Sequence, residues 1–390
     1  MAQQGGTTTG ETPSLTQRAG SRVFQATGAW PRAGWRENGR GTGVIIIMKQ
    51  GATEAEKQHV VDRLGELGYG VNISGEAQTV IGAIGVLDNQ KETLTEQLGA
   101  LAYVERVVPV LKKYKLASLE FQPAPSVVTI RRPGGTLKVG SSAALIVMAG
   151  PCAVESREQV MATAAVVKAA GGTVLRGGAY KPRTSPYDFQ GAGEDGLKIL
   201  QEAGAEHGLA VVTEVVDPHD VELVCGYADV LQIGARNMQN YVLLREVGRA
   251  RTPVLLKRGG MYPTIENWLL AAEYILREGN RDVILCERGL PPYGDEKLRR
   301  NVLDLTAVPL AKGLSHLPVI VDPSHGTGKS ALVPVMAKAA ITAGADGLIL
   351  ETHPQPEKAL SDGPQSLDFP TFQKLMAELP PIATAVGRSM

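Results

Sequence analysis

From residue 145 onward the chain alternates eight times between a short apolar run and a segment of helical periodicity. The runs are 145–149, 173–177, 210–215, 230–234, 253–257, 282–286, 318–321 and 347–350, and the helical stretches include 158–170, 194–207 and 330–343. Strands alternating with helices predict parallel pairing through right-handed crossovers. Eight such units within about 240 residues predict an α/β chain built on a (β/α)8 TIM barrel, with its active site at the C-terminal ends of the strands.

Those ends carry chemistry throughout. In order they are Gly150-Pro151-Cys152, Lys181-Pro182-Arg183-Thr184, Glu214, Gly234-Ala235-Arg236, Lys257-Arg258-Gly259, Glu287-Arg288-Gly289, Asp322-Pro323-Ser324-His325 and Glu351-Thr352-His353. Taken alone, Lys181 to Thr184 reads as a solvated basic turn. As one of eight charged strand ends it reads as a fixed pair of cations beside a hydroxyl, which suits phosphate or phosphonate oxygens.

The strand-end residues fall into two groups. Lys181, Arg183, Arg236, Lys257 and Arg288 come from four strands and converge as cations, which calls for a multiply anionic ligand: two phosphates, or a phosphate and a carboxylate. Lys257 shares strand parity with Leu255 and is expected in the barrel mouth, with Arg258 pointing outward. The second group is Cys152, His325, Glu351 and, in the loop after the last strand, Asp362. A thiolate, an imidazole and two carboxylates suit Mn²⁺, Fe²⁺, Co²⁺ or Zn²⁺ rather than Cu(I) or a dedicated Mg²⁺ site. A lone Cys152 would be a small core residue. Barrel closure makes strands one, seven and eight neighbours, which favours the ligand reading. His353 is a rival ligand. Cys286 is expected to line the barrel below the site, and Cys225 has no role.

Ahead of the barrel, residues 44–116 follow a βαββαβ pattern of the ferredoxin-like kind. Strands are expected at 44–48, 79–86 and 104–110. A helix from the Thr53/Glu56 capping box runs through Leu67, with a second over 91–101. Phe121 to Pro125 reads as a linker, and 126–140 as a hairpin turning at Pro133-Gly134-Gly135 that leads into a barrel spanning 141–385. Residues 1–43 lack apolar periodicity and read as a disordered extension. They are also Arg-rich and acid-poor, as an organellar presequence would be.

Forty Lys and Arg balance forty Asp and Glu, and aromatics make up 5%, so neither a nucleic-acid nor an anionic-membrane partner is expected. No apolar run reaches the roughly 18 residues of a membrane helix. Three scattered cysteines fit a reducing, cytoplasmic setting.

The segments GPCAVES, RGGAYKPRTSPYDFQG, QIGARNMQN, LLKRG, ILCERG, VDPSHGTG, ETHP and ALSDGPQSLDF together resemble 3-deoxy-D-arabino-heptulosonate 7-phosphate (DAHP) synthases, in the subfamily with an N-terminal ferredoxin-like regulatory domain. The resemblance spans about residues 44–380. It implies metal-dependent condensation of phosphoenolpyruvate with erythrose 4-phosphate, the first step of the shikimate pathway to aromatic amino acids. It also implies metal ligands Cys152, His325, Glu351 and Asp362, and phosphoenolpyruvate contacts from Arg183, Arg236, Lys257 and Arg288 with Lys181 beside them. Pro182, Arg183 and Thr184 would border the sugar phosphate, with Lys181 and Arg183 as catalytic residues. Feedback by tyrosine or phenylalanine through the small domain, and a homo-oligomer, specifically a tetramer, are further implications. The alternative is 3-deoxy-octulosonate 8-phosphate synthase acting on arabinose 5-phosphate. Those enzymes resemble this chain less at Lys181–Thr184, where they carry an Asn-Arg-Ser type loop. A phosphosugar aldolase competes as an enzyme class, but it would release no inorganic phosphate.

Overall fold

Alternation along each barrel strand sends one set of side chains inward and the other beneath the helices. The computed structural model describes residues 43–75, 78–109, 113–182, 185–261, 263–292, 294 and 298–390. The expectation for residues 1–43 falls, except for Gly43, outside them. Residues Arg40–Met390 form one compact unit.

Within it, β1 (Val44–Met48), α1 (Glu54–Glu66), β2 (Gly70–Ser74), β3 (Val80–Ile84), α2 (Lys91–Gly99) and β4 (Val104–Pro109) make a four-stranded antiparallel sheet in the order β2-β3-β1-β4. The capping box at Thr53 and Glu56 is present. Leu67, the expected end of the helix, is the C-cap of α1 and is exposed. One sheet face packs Ile46, Met48 and Ile81 against Val60, Leu64, Leu94 and Leu98 of the helices. The other face, Ile45, Ile47 and Val80, packs on Phe121. Phe121 is thus a core residue, although it stands at the head of a Pro-rich connecting stretch. Arg281 lies over its ring at 5.4 Å. The partly buried carboxylate of Glu273 accepts the backbone N–H groups of Lys115, Leu116 and Ala117, fixing the connection to the barrel.

The hairpin β5 (Val128–Arg132) and β6 (Gly135–Val139) precedes the closed barrel. The barrel strands are β7 (Ile146–Gly150), β8 (Val174–Arg176), β9 (Ala210–Glu214), β10 (Val230–Ile233), β11 (Val254–Lys257), β12 (Val283–Glu287), β13 (Val319–Val321) and β14 (Gly347–Glu351). All neighbours are parallel, and β14 closes on β7 over five residue pairs. Between and after them lie α3 (Arg157–Ala169), α4 (Gly193–His207), α5 (Val221–Cys225), α6 (Tyr241–Ala250), α7 (Ile265–Arg277), α8 (Ala307–Leu314), α9 (Pro323–Thr327), α10 (Val333–Thr342) and α11 (Phe369–Ala385).

Inside, Ile146, Met148, Val174, Val212, Leu255, Ile284, Cys286, Ile320 and Ile349 pack with Val128, Ile130 and Val139 of the hairpin, so the hairpin plugs the N-terminal end. Stepping two residues beyond these inward positions reaches Arg176, Glu214, Lys257, Arg288, Asp322 and Glu351 at the open mouth. Burial of the apolar layer below supplies a rigid floor under these polar side chains.

Candidate active site

The four proposed ligand donors converge at the junction of β7, β13 and β14. Cys152 Sγ and carboxylate oxygens of Glu351 and Asp362 lie within 4.8 Å of one another. His325 Nε2 is 3.4 Å from Glu351 Oε1 and 3.8 Å from Asp362 Oδ2. His325 belongs to α9, a single turn begun by Asp322, whose Oδ1 accepts the His325 N–H at 2.9 Å. Asp322 Oδ2 accepts a hydrogen bond from His325 Nδ1 at 2.8 Å, which leaves Nε2 to face the carboxylates. The rival His353 lies apart from this centre: its Nδ1 accepts the Gln355 N–H, and its Nε2 sits 3.4 Å from Glu155.

Burial, assisted by Glu351, pushes the Cys152 thiol up to about 11, against the pull of Lys181. For Glu351 burial favours the neutral acid, but His325 and Arg176 outweigh it and hold the carboxyl below its usual range. Asp362 is likewise held low by His325 and Arg300 against its burial. Cys152 Sγ lies 3.3 Å from Asp362 Oδ2 and 3.1 Å from Ser361 Oγ. One soft and several hard donors at this spacing fit a borderline divalent ion.

Lys181 adjoins the cluster. Its Nζ donates to the Cys152 carbonyl at 3.0 Å and contacts Cys152 Sγ at 3.1 Å. Gly178 permits this approach, since a Cβ there would meet Lys181 Cδ at 2.7 Å and the Cys152 carbonyl oxygen at 2.9 Å. Arg236 reaches back across the mouth to the Pro182 carbonyl at 2.7 Å. Arg183 and Thr184 lie outside the described residues. Lys257 points inward as its parity predicts and donates to Asp322 at 2.7 Å. Because Asp322 neutralises it, a bare count of cations overstates the positive excess in the mouth. Arg288 is held below its usual range by burial, which Asp322 partly offsets.

Arg258 turns the other way, pairing with Glu287 at 2.9 Å and Asp304 at 3.0 Å beneath the rim. Cys286 lines the interior below the site, and Cys225 lies on α5 outside the donor cluster.

Four further residues belong to the site although no role was read for them. Arg176 donates to Glu351 Oε1 and to the Pro151 carbonyl, both at 2.8 Å. Asp322 links Lys257 to His325. Arg300 and Gln365 contact Asp362 and Glu351 respectively. Strand parity would have found the first two, which sit two positions after inward Val174 and Ile320. Arg300 lies in a loop and Gln365 ends a single 3₁₀ turn, and neither gives such a signal.

Comparisons with known proteins identify the family. Residues 122–384 match the model of the DAHP synthetase I family, and residues 44–112 that of the DAHP synthase ferredoxin-like domain. The phospho-2-dehydro-3-deoxyheptonate aldolase of Thermotoga maritima is 49% identical over 345 residues, covering 88% of this chain and 99% of its own length. The crystal structure of a Thermotoga maritima DAHP synthase superposes with a TM-score of 0.69 at 47% identity, over 90% of this chain and 99% of that one. The 2-dehydro-3-deoxyphosphooctonate aldolase of Nitrosococcus oceani is 32% identical over 269 residues, covering 64% of this chain and 93% of its own length.

Proposed function

The chain belongs to the DAHP synthetase I family, and from that premise we propose that it condenses phosphoenolpyruvate with erythrose 4-phosphate and water, giving DAHP and inorganic phosphate. The observation that carries this reading is the contact of Lys181 with Cys152. It sets the segment suited to phosphate oxygens directly against the donor cluster suited to a divalent ion. Cys152, His325, Glu351 and Asp362 would hold that ion, which supplies polarisation of the aldehyde oxygen or orientation of a water. The lesser identity and coverage of the octulosonate relative support the four-carbon acceptor.

In this reading C3 of phosphoenolpyruvate bonds to the aldehyde carbon and the aldehyde oxygen takes a proton. Water adds at C2, and the C2–O bond breaks to release phosphate. Lys181, Arg183, Arg236, Lys257 and Arg288, with Pro182 and Thr184 bordering the sugar phosphate, offset the repulsion between two polyanions held close together. In this reading Lys181 moves a proton to the aldehyde oxygen or from the attacking water. The ferredoxin-like domain would sense tyrosine or phenylalanine, the protein would act in the cytoplasm, and the assembly would be a homotetramer.

The test is phosphate release from phosphoenolpyruvate with erythrose 4-phosphate and, separately, arabinose 5-phosphate, each with and without chelator and with each amino acid. Release with the four-carbon aldehyde that stops on chelation supports the reading. Release only with the five-carbon sugar moves the chain to the octulosonate reaction. No release with either sinks both.

A further inference from the structure

The loop between β12 and α8 brings one partly exposed residue, Arg300, to the edge of the donor cluster. Arg300 Nη1 donates to Asp362 Oδ1 at 2.8 Å and to Gln365 Oε1 at 2.7 Å. Gln365 is buried, and its Nε2 donates to Glu351 Oε2 at 2.5 Å. The arginine therefore fixes which end of the amide faces Glu351: with Oε1 taken by a donor, only the NH₂ end is left for the carboxylate. One cation thus restrains both cluster carboxylates, Asp362 directly and Glu351 through the amide. The neighbouring side chain holds a third member, since Asn301 Nδ2 donates to the His325 carbonyl at 2.7 Å.

The Asp362 backbone is left-handed, with φ at +55°, a conformation that Asp adopts more readily than most side-chain-bearing residues. The loop is itself anchored, because the Glu287 carboxylate accepts the Gly289 N–H at 2.6 Å and the Asp304 N–H at 3.4 Å while paired to Arg258. Arg300 also donates its own backbone N–H to the Thr327 carbonyl at 3.1 Å.

We propose that Arg300, acting through Gln365, is a positioning residue that keeps Asp362 and Glu351 at the spacing a divalent cation requires. Arg300 does this without contacting substrate. The inference rests on the metal reading given above. Outer partners of metal ligands commonly change affinity by about 10–100-fold, and a planar guanidinium can span two acceptors where an ammonium serves them less well.

The experiment measures Co²⁺ affinity of the full chain by competition with a chelating dye, together with the near-ultraviolet thiolate-to-cobalt absorption. Arg300→Met should weaken Co²⁺ binding by about 10–100-fold and perturb that band. Arg300→Lys should recover only part of the affinity. Gln365→Leu should weaken binding too, and the double variant should lose less than the sum, because both residues belong to one relay. Gln365→Leu also serves if Arg300→Met does not fold. Affinity within twofold of wild type in both single variants overturns the inference. So does normal Co²⁺ binding by Arg300→Met with a raised KM for the sugar phosphate, which would make Arg300 a substrate contact. If Cys152→Ser loses Co²⁺ while both single variants keep it, the metal reading stands and this inference falls. A wild-type chain that takes up no Co²⁺ overturns both.

Discussion

Asp322→Asn separates two jobs that one carboxylate performs. The side chains of Lys257 and Asp322 are 4% and 2% exposed and lie 2.7 Å apart. Removing one partner of such a buried pair strands the other charge, at a cost of about 3–5 kcal/mol. At roughly 2–4 °C per kcal/mol for a large domain, melting of the metal-free protein should fall by about 6–20 °C. The asparagine keeps the N-cap of α9, but its amide cannot reproduce the charge-assisted bond accepted from His325 Nδ1. Co²⁺ affinity should therefore drop by about 10–100-fold as well. Adding Lys257→Met removes the stranded ammonium, so the double variant should regain most of the melting temperature and none of the metal affinity. Scanning calorimetry without metal and dye-competition titration read the two effects independently. If affinity returns together with stability, Asp322 acts only through the fold and its role in setting the imidazole is refuted. If Asp322→Asn melts within about 2 °C of wild type, the buried pair is not worth what its geometry implies.

Three other outcomes are expected. Gly178→Ala must push Lys181 or the Cys152 carbonyl aside; about 1–3 kcal/mol of stability and a disproportionate loss of kcat should appear in melting and phosphate-release assays, and unchanged kcat would show the close approach to be idle. His316 is buried, with Nε2 donating to the Leu116 carbonyl and Nδ1 accepting from Ser126, and burial holds its pKa below the usual 6.5. The unfolded chain then takes up a proton that the folded one refuses, so this contribution is whole above about pH 6.5 and declines as pH falls below it. Stability measured by urea titration should fall by up to about 1.4 kcal/mol per pH unit more steeply in wild type than in His316→Gln, and equal slopes would count against it. Phe121→Ala should cost about 3–5 kcal/mol and release the small sheet first, seen as early hydrogen exchange at Ile45 and Ile47; uniform exchange would contradict that packing.

The barrel was legible because its signal repeats: eight buried runs at regular spacing leave little freedom, and residues such as Cys152, His325 and Glu351 sit at strand ends whose adjacency follows from closure. Period-two parity placed Lys257 correctly and would have revealed Arg176 and Asp322 had it been carried to β8 and β13. Other parts were hidden for physical reasons. Arg300 acts from a loop and Gln365 from a single 3₁₀ turn, where no periodicity ties a residue to a direction. A tally of cations could not show that Asp322 neutralises Lys257, because pairing across the barrel is a property of closure. Phe121 looked like connecting chain because three of the next four residues are Pro-Ala-Pro, yet one aromatic suffices to join a core.

That placement of Phe121 has a consequence for modular exchange. Composition puts a seam near residues 121–125, as though the small sheet were complete before it. In packing terms the sheet ends later than its last strand, since Ile45, Ile47 and Val80 pack on Phe121, twelve positions past Pro109, with Leu116 and Val108 beside it. A transplant of this domain onto another barrel, cut after β4, would carry an open apolar face. The transferable unit runs through Phe121, and it needs a recipient that offers counterparts of Glu273 and Arg281.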